Sequence, residues 1–365
     1  MKKSFIFYIH NMAGLLSGIF ILLMSLSGAF LVFHEELDGF QIPAVSPGPG
    51  GVITVDSCYH AIQKKYPHAQ ISNCTLPGNR QQPFSFIISD PSYKNGARAM
   101  ELFLHPHSGV VLRTRGGSDD MRNNFMSWLS GFHNSFHLDK TGEWLLGSFA
   151  LLFLLSILTG LILFRKNILA VLFFRREVYK KNNLHQLIGV YALIFNLVIA
   201  VTGFWMQRYV FKKDFYSSYS YTPVLKPSPP LSFSFDSAYK ALQKEYPAFT
   251  ASVIYFAQSN KGKTAVYGSS STNSFIHSRK FADAVFLDST GAVANTRFVN
   301  EISAGDRYDI INSQVHMGKY GGMAVKIIYF LLGLTGGLLS ITGFLLWTRR
   351  KRSAGKPLKP DPYIQ

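Results

Sequence analysis

The sequence predicts a membrane protein of four transmembrane α-helices carrying two polar α+β domains, made by internal duplication of a helix–domain–helix unit. Three observations predict this class: four long uncharged apolar runs, a one-sided placement of Lys and Arg, and a self-similarity between the two halves at a fixed offset.

The apolar runs come first. Met12 to Phe33 holds 22 residues without a charge, and Trp144–Phe164, Leu187–Met206 and Ile327–Trp347 hold 20 or 21 each. About 20 apolar residues cross a bilayer core of about 30 Å as a helix. The chain of 365 residues is 47% hydrophobic and only 16% charged, too apolar for an ordinary soluble protein of two domains. The first run is too long for a removable signal peptide and lacks a small-residue cleavage site.

The basic residues orient these helices. Lys2 and Lys3 precede the first run, Arg165, Lys166, Arg175, Arg176, Lys180 and Lys181 fill the loop between the second and third, and Arg349 to Arg352 follow the fourth. Lys and Arg concentrate on the cytoplasmic side of a membrane, so both termini are expected inside and two long segments outside. Topology thus explains much of the net charge of +17, and no nucleic acid partner is called for. The expected boundaries are helix 1 within 1–37, a polar domain over 38–126, helix 2 with a His-bearing lead-in over 127–165, an inner loop over 166–184, and helix 3 over 185–207. A second polar domain over 208–310, helix 4 with its own lead-in over 311–348 and a basic tail over 349–365 complete the chain.

The halves repeat. "VDSCYHAIQKKYPHAQ" (55–70) matches "FDSAYKALQKEYPAFT" (235–250) at an offset of 180, and "LFLHPHSGVV" (102–111) matches "VFLDSTGAVA" (285–294). His10 lies 18 residues before Gly28 and His185 lies 18 before Gly203; His133 lies 27 before Gly160 and His316 lies 27 before Gly343. In each polar domain an Asp (Asp56, Asp236) is expected to N-cap a helix that ends at Tyr-Pro. The alternating segments "FSFII", "MELFL", "SVIYF" and "AVFL" are expected strands. The two cysteines, Cys58 and Cys74, fit either a disulfide or a pair of buried thiols.

With these helices, strand-turn segments and His-bearing membrane helices, nearly the whole chain resembles PepSY-associated transmembrane proteins. Among them it is most similar to iron-regulated inner-membrane proteins and ferrioxamine-type siderophore reductases. The resemblance implies a bacterial inner-membrane location with both polar domains periplasmic, haem as cofactor, and a ferric siderophore as the substrate from which iron is freed.

Six histidines cluster at helix ends, His10 and His185 inside and His34, His133, His137 and His316 outside. Ionisable groups at membrane positions are functional candidates. The repeat sets His10 and His185 at one depth on neighbouring helices, where two imidazoles can grip one iron, as in a b-type haem. Gly14 and Gly189, four residues on, share the helix face and leave room for a flat ring. Lys2, Lys3, Lys180 and Lys181 are candidate partners for its carboxylates. His133 and His316 form the expected outer pair around a second haem, with His137 a rival one turn on; the spacing to Gly160 favours His133. His34 is a candidate ligand or substrate-side group.

Distance constrains this scheme. His316 stands 31 residues before Trp347, so an unbroken helix would carry it about 46 Å from the inner face. Breaks at "DKTGEW" and "KYGGMA" are therefore expected. No G-x-G-x-x-G and no P-loop occurs, so electrons are expected from a donor such as a quinol or a cytoplasmic reductase. The chain is accordingly expected to be a haem-containing ferric-siderophore reductase in contact with membrane lipid. The alternative is a non-enzymatic, membrane-tethered regulator whose PepSY-like domains bind a peptidase, and colour separates the two.

Overall fold

The computed structural model describes residues 3–46, 53–79, 81–93, 98–175, 184–218, 226–259, 262–270, 278 and 280–354. Of the expected residues, Lys2, Lys180 and Lys181 lie outside this set. In chain order the first half holds α1 (Lys3–Leu31), α2 (His34–Gly39), α3 (Val55–Lys65), β1 (Gln70–Thr75), β2 (Phe84–Asp90), β3 (Arg98–Leu104) and β4 (Val111–Gly116). Then come α4 (Phe125–Ser135), α5 (Asp139–Phe164), α6 (Ile168–Leu172), α7 (Leu184–Tyr191), α8 (Leu193–Gln207) and a short α9 (Phe215–Ser218). The second half closes with α10 (Phe235–Glu245), β5 (Phe249–Tyr255), β6 (Thr264–Ser270), β7 (Asp283–Leu287), β8 (Val293–Arg297), α11 (Ala304–Met317) and α12 (Gly322–Ala354).

The chain divides into two compact units. One, helical, draws on residues 1–32, 133–212 and 326–365; the other, built on a sheet, draws on 33–132 and 213–325. Among the described residues four helical stretches are long and apolar enough to cross a membrane: Lys3–Leu31, Asp139–Phe164, Leu193–Phe211 and Gly322–Arg352.

In the helical unit α1 packs along α5, and α5 along α8. Small residues allow the approach, since helices in lipid associate through close van der Waals contact rather than hydrophobic burial. Of the five buried residues of α1, Ile6, Ala13, Ser17, Ser27 and Ala29, four are small. A methyl at Gly337 would stand 3.0 Å from Leu22, and one at Gly333 3.5 Å from Ala29, so α12 lies directly on α1. Asn196, the strong polar group of the third span, is buried and donates to Thr335 Oγ1 at 3.0 Å. α1 starts earlier than the charge-free run, because Ser4 to Ile9 are themselves mostly apolar. His10 therefore stands in the third helical turn and not at the helix entry.

Both expected helix breaks exist, one of them displaced. α11 ends at Gly318 in the left-handed region (φ 63°), and Gly321 and Gly322 (both φ 68°) turn the chain into α12. Only glycine adopts this backbone without strain. The other break falls just ahead of "DKTGEW" and ends on its first residue, Asp139. Phe136, His137 and Asp139 make the turn with φ between 47° and 56°. Gly142 lies in α5, where any side chain would collide with the Ser135 carbonyl.

In the sheet unit, the two polar segments expected to form separate domains supply one sheet. Its order is β4-β3-β2-β1-β5-β6-β7-β8, every pair antiparallel. The join is β1 on β5, with Asn73 opposite Tyr255, Cys74 opposite Ile254 and Thr75 opposite Val253. Burial alternates along β2 (Phe84, Phe86 and Ile88 inward), as a sheet with one covered face requires. These side chains meet Tyr59 and Ile62 of α3 and Phe235 and Leu242 of α10 in one core. Cys58 and Cys74 are buried in that core as free thiols. The N-caps are Thr54 and Ser234, whose hydroxyls accept from Ser57 N–H and Ser237 N–H. Asp56 and Asp236 were expected in that role and serve differently: each lies in the first turn, and its carboxylate accepts from the opposite helix.

Candidate functional site

The helical unit encloses a cavity of about 790 Å³, within the range of small-molecule and cofactor sites. Its wall includes His10, Gly14 and Gly18 of α1, Ser156 and Gly160 of α5, His185 and Gly189 of α7, and Leu339 and Gly343 of α12. Lys3 and Arg350 bring positive charge to the same wall. The rest is largely apolar.

His10 and His185 meet here, with ring centroids 6.2 Å apart and planes at 73°. Each is anchored through Nδ1. His10 Nδ1 lies 3.0 Å from the Ser156 carbonyl and 3.2 Å from Thr159 Oγ1. His185 Nδ1 lies 3.1 Å from the Leu339 carbonyl and 3.0 Å from Thr342 Oγ1. The tautomer follows from the acceptors. A carbonyl only accepts, and the threonine protons are engaged by the carbonyls of Leu155 and Leu338, both at 2.7 Å. Nδ1 must therefore carry the hydrogen and donate it. In a neutral imidazole that leaves the lone pair on Nε2, the nitrogen available to a ligand.

A third histidine repeats the arrangement. His133, near the end of α4, has Nδ1 2.8 Å from Ser27 Oγ, whose own proton goes to the Leu23 carbonyl at 2.8 Å. In all three cases a glycine follows the hydroxyl residue and the imidazole rests on it. An added methyl at Gly160, Gly343 or Gly28 would stand 3.1, 3.3 or 3.0 Å from Cε1 of His10, His185 or His133. These dipeptides are the feature of the histidine seats that sequence reasoning passed over. Their glycines marked the repeat spacing, yet nothing local tied them to histidines on other helices.

The other expected residues fall elsewhere. Gly14 and Gly189 line the cavity, where an added methyl would just touch Ser156 Oγ at 3.7 Å or Leu339 Cδ2 at 3.8 Å, while before Gly18 nothing lies within 4 Å. His137 is exposed in the left-handed turn between α4 and α5. His34 opens α2 in the sheet unit, where burial lowers its imidazole below the usual value against the pull of Asp38. His316, half-buried, lies in the last turn of α11, also in the sheet unit. Along α1, Ser27 is 17 residues beyond His10, so His10 and the seat of His133 are separated by about 26 Å. Among the described residues no three His, Cys, Asp or Glu side chains converge as metal ligands.

The spans and the cavity define a multi-pass membrane protein with paired imidazoles between its helices. The chain belongs to the PepSY-associated TM region family, whose profile matches residues 7–350. Among curated proteins none matches it.

Proposed function

We propose that the chain is an inner-membrane haem-containing reductase that delivers electrons to a ferric siderophore on the periplasmic face and so releases Fe(II) for uptake. The carrying observation is the His10–His185 pair. Two imidazoles that share one ion, each nitrogen about 2 Å from it, bring their centroids to about 6 Å, and the observed separation is 6.2 Å. Two protein donors in an apolar cavity suit a flat ligand that brings four equatorial nitrogens of its own, as haem b does. Bis-imidazole haem supplies one-electron transfer. His10 and His185 would hold it, Gly14, Gly18 and Gly189 would leave the wall low beside it, and Lys3 and Arg350 would be the charged partners for its carboxylates.

The repeat assigns His133 and His316 to a second, outer haem. The seat of His133 on Ser27 and Gly28 favours it over His137. Residues 180 apart cap one another's helices and flank the β1–β5 join, which supports an internal duplication. Lys3, Arg165, Lys166, Arg175 and Arg349 to Arg352 support cytoplasmic termini and a periplasmic sheet unit. Fe(III) suits hard oxygen donors, and lowering its charge by one electron weakens that hold. That electron comes from a quinol or a cytoplasmic reductase.

An absorption spectrum of the purified chain before and after dithionite, with a pyridine haemochrome assay, tests the proposal. About two six-coordinate low-spin haems per chain are expected. Anaerobic mixing of reduced protein with a ferric hydroxamate should reoxidise it while a ferrous chelator colours. Colourless protein overturns the proposal and leaves the peptidase-binding regulator in its place.

A further inference from the structure

The seats of His10 and His185 are the same construction on different helices. A threonine in the middle of a membrane helix commits its proton to the carbonyl four residues back. Its oxygen then faces outward as an acceptor beside the carbonyl three residues back, and both receive one imidazole N–H. The next residue is glycine, and the ring edge occupies the place where a methyl would be. Ser27–Gly28 offers His133 the same hydroxyl and the same space. Thr202, before Gly203 in the third span, holds its proton in the same way, on the Val198 carbonyl at 2.7 Å.

Three histidines from three different helices arrive on this device. Packing alone does not require it, because an alanine and a valine would fill a helix interface as well. A group that donates to a fixed acceptor through Nδ1–H is held in one tautomer and one ring plane, and its Nε2 becomes a stronger donor to a metal.

We infer that Thr159 and Thr342 are positioning residues, which fix the ring plane and raise the donor strength of His10 and His185 beside the Ser156 and Leu339 carbonyls that share in holding the tautomer, and that Gly160 and Gly343 are the spaces that let the rings approach them. The inference rests on the proposal that these histidines hold haem.

The test uses the full-length chain in detergent, with Thr159→Val, Thr342→Val, Thr159→Ser and Thr342→Ser. Losing the hydroxyl acceptor makes the ligand less basic, which favours the reduced iron. Each Val variant should therefore raise the midpoint potential of the inner haem and lose haem on dilution about 10-fold more readily. Each Ser variant should restore the parental potential and low-spin electron paramagnetic resonance signal. A purely packing role predicts the reverse order, because Val fills the threonine volume and Ser does not. If a Val variant fails to accumulate in the membrane, Thr→Ala at the same position against the Ser variant reads the same contrast. A coloured parent with Val variants that keep its potential, spectrum and haem retention overturns this inference alone. A colourless parent overturns the haem proposal on which it stands.

Discussion

Asp56 and Asp236 each accept from the first amides of the helix in whose first turn the other lies. Asp236 accepts from Val55 N–H at 3.2 Å and Asp56 N–H at 3.0 Å, while Asp56 accepts from Phe235 N–H at 2.9 Å and Asp236 N–H at 3.4 Å. The first amides of a helix lack intrahelical partners and carry its positive dipole end, so a carboxylate there is well placed. Because the bonds cross between α3 and α10, they also tie the halves of the sheet unit together.

Removing either carboxylate should therefore affect the helix it does not belong to. Asp56→Ala and Asp236→Ala are each expected to cost about 1 kcal/mol, the usual worth of a helix cap. The double variant should cost less than the sum, because the two side chains share one network. Urea titrations of the detergent-solubilised chain would show it, and strict additivity would mean that the caps act separately.

The same pair has a pH signature. Burial, with the Asp236 carboxyl alongside, raises Asp56 above its ordinary value, and the Ser234 hydroxyl opposes the shift. A raised folded-state value means that this group's contribution is complete below the unfolded carboxylate value and fades as pH rises through the folded one. As pH rises from about 4, the unfolded carboxylate value, through the raised folded-state one, the parent should lose stability relative to Asp56→Asn, which does not titrate there. Parallel melting-temperature profiles for the two proteins would contradict this.

Arg115 is the buried cation of the sheet unit. Its Nη1 and Nη2 meet the Asp38 oxygens at 2.7 and 2.8 Å, its Nε meets Glu101 at 2.7 Å, and it lies over the Phe103 ring. Burial would lower its affinity for the proton, but these two carboxylates outweigh it and the value rises. Arg115→Ala would leave both anions uncompensated, at a cost of roughly 3 kcal/mol or more. Arg115→Lys should recover only part of this, since an ammonium cannot form the two-pronged bond. Thermal melts of the three proteins rank them, and a fully stable Lys variant would contradict the argument.

The thiols should be silent. Burial pushes Cys58 up to about 12 and Cys74 well above its ordinary value, and both lie in the core. Native protein at mildly alkaline pH is expected to resist a maleimide and to label at both positions after unfolding. Mass spectrometry of the unreduced protein should show no disulfide.

His133 and His137 separate cleanly by substitution. His137 sits in the left-handed region at φ 56°, where a residue with a side chain carries a strain of about 1 kcal/mol. His137→Gly should therefore be neutral or slightly stabilising and, on the haem proposal, leave the haem content unchanged. His133→Ala should lose the outer haem and retain the inner one. The opposite pattern in a haemochrome assay would assign the outer ligand to His137.

Much of the architecture was legible in the order of residues, since hydropathy and strand alternation are local signals. Three of the four spans, the helices over 55–65 and 235–245, and the strands around Phe86, Leu102, Ile254 and Val285 appear where their patterns predict, while the third span, expected over Leu187–Met206, runs over Leu193–Phe211 after a break at Ala192. The strands β1, β4, β6 and β8 carry weaker apolar alternation and were not anticipated. The join of β1 to β5 had no local signature at all, because edge backbone groups look alike in any sequence. The caps show the same limit. Thr54 and Ser234 were within reach of a capping argument, but the crossed service of Asp56 and Asp236 depends on two helix starts meeting in space.

By itself the sequence determined four stretches long and apolar enough to cross a membrane and set His10 and His185 at matching places in its two halves. Only the tertiary structure decided where those rings rest. α1 offers Ser17–Gly18 as well as Ser27–Gly28, and α12 offers Thr335–Gly336 as well as Thr342–Gly343. His133 takes the second of the two on α1, and His185 the second of the two on α12. The physical reason is that an imidazole reaches only a few ångströms from its own helix. Which hydroxyl it finds is set by how the helices pack, through small residues that any of these spans could have supplied.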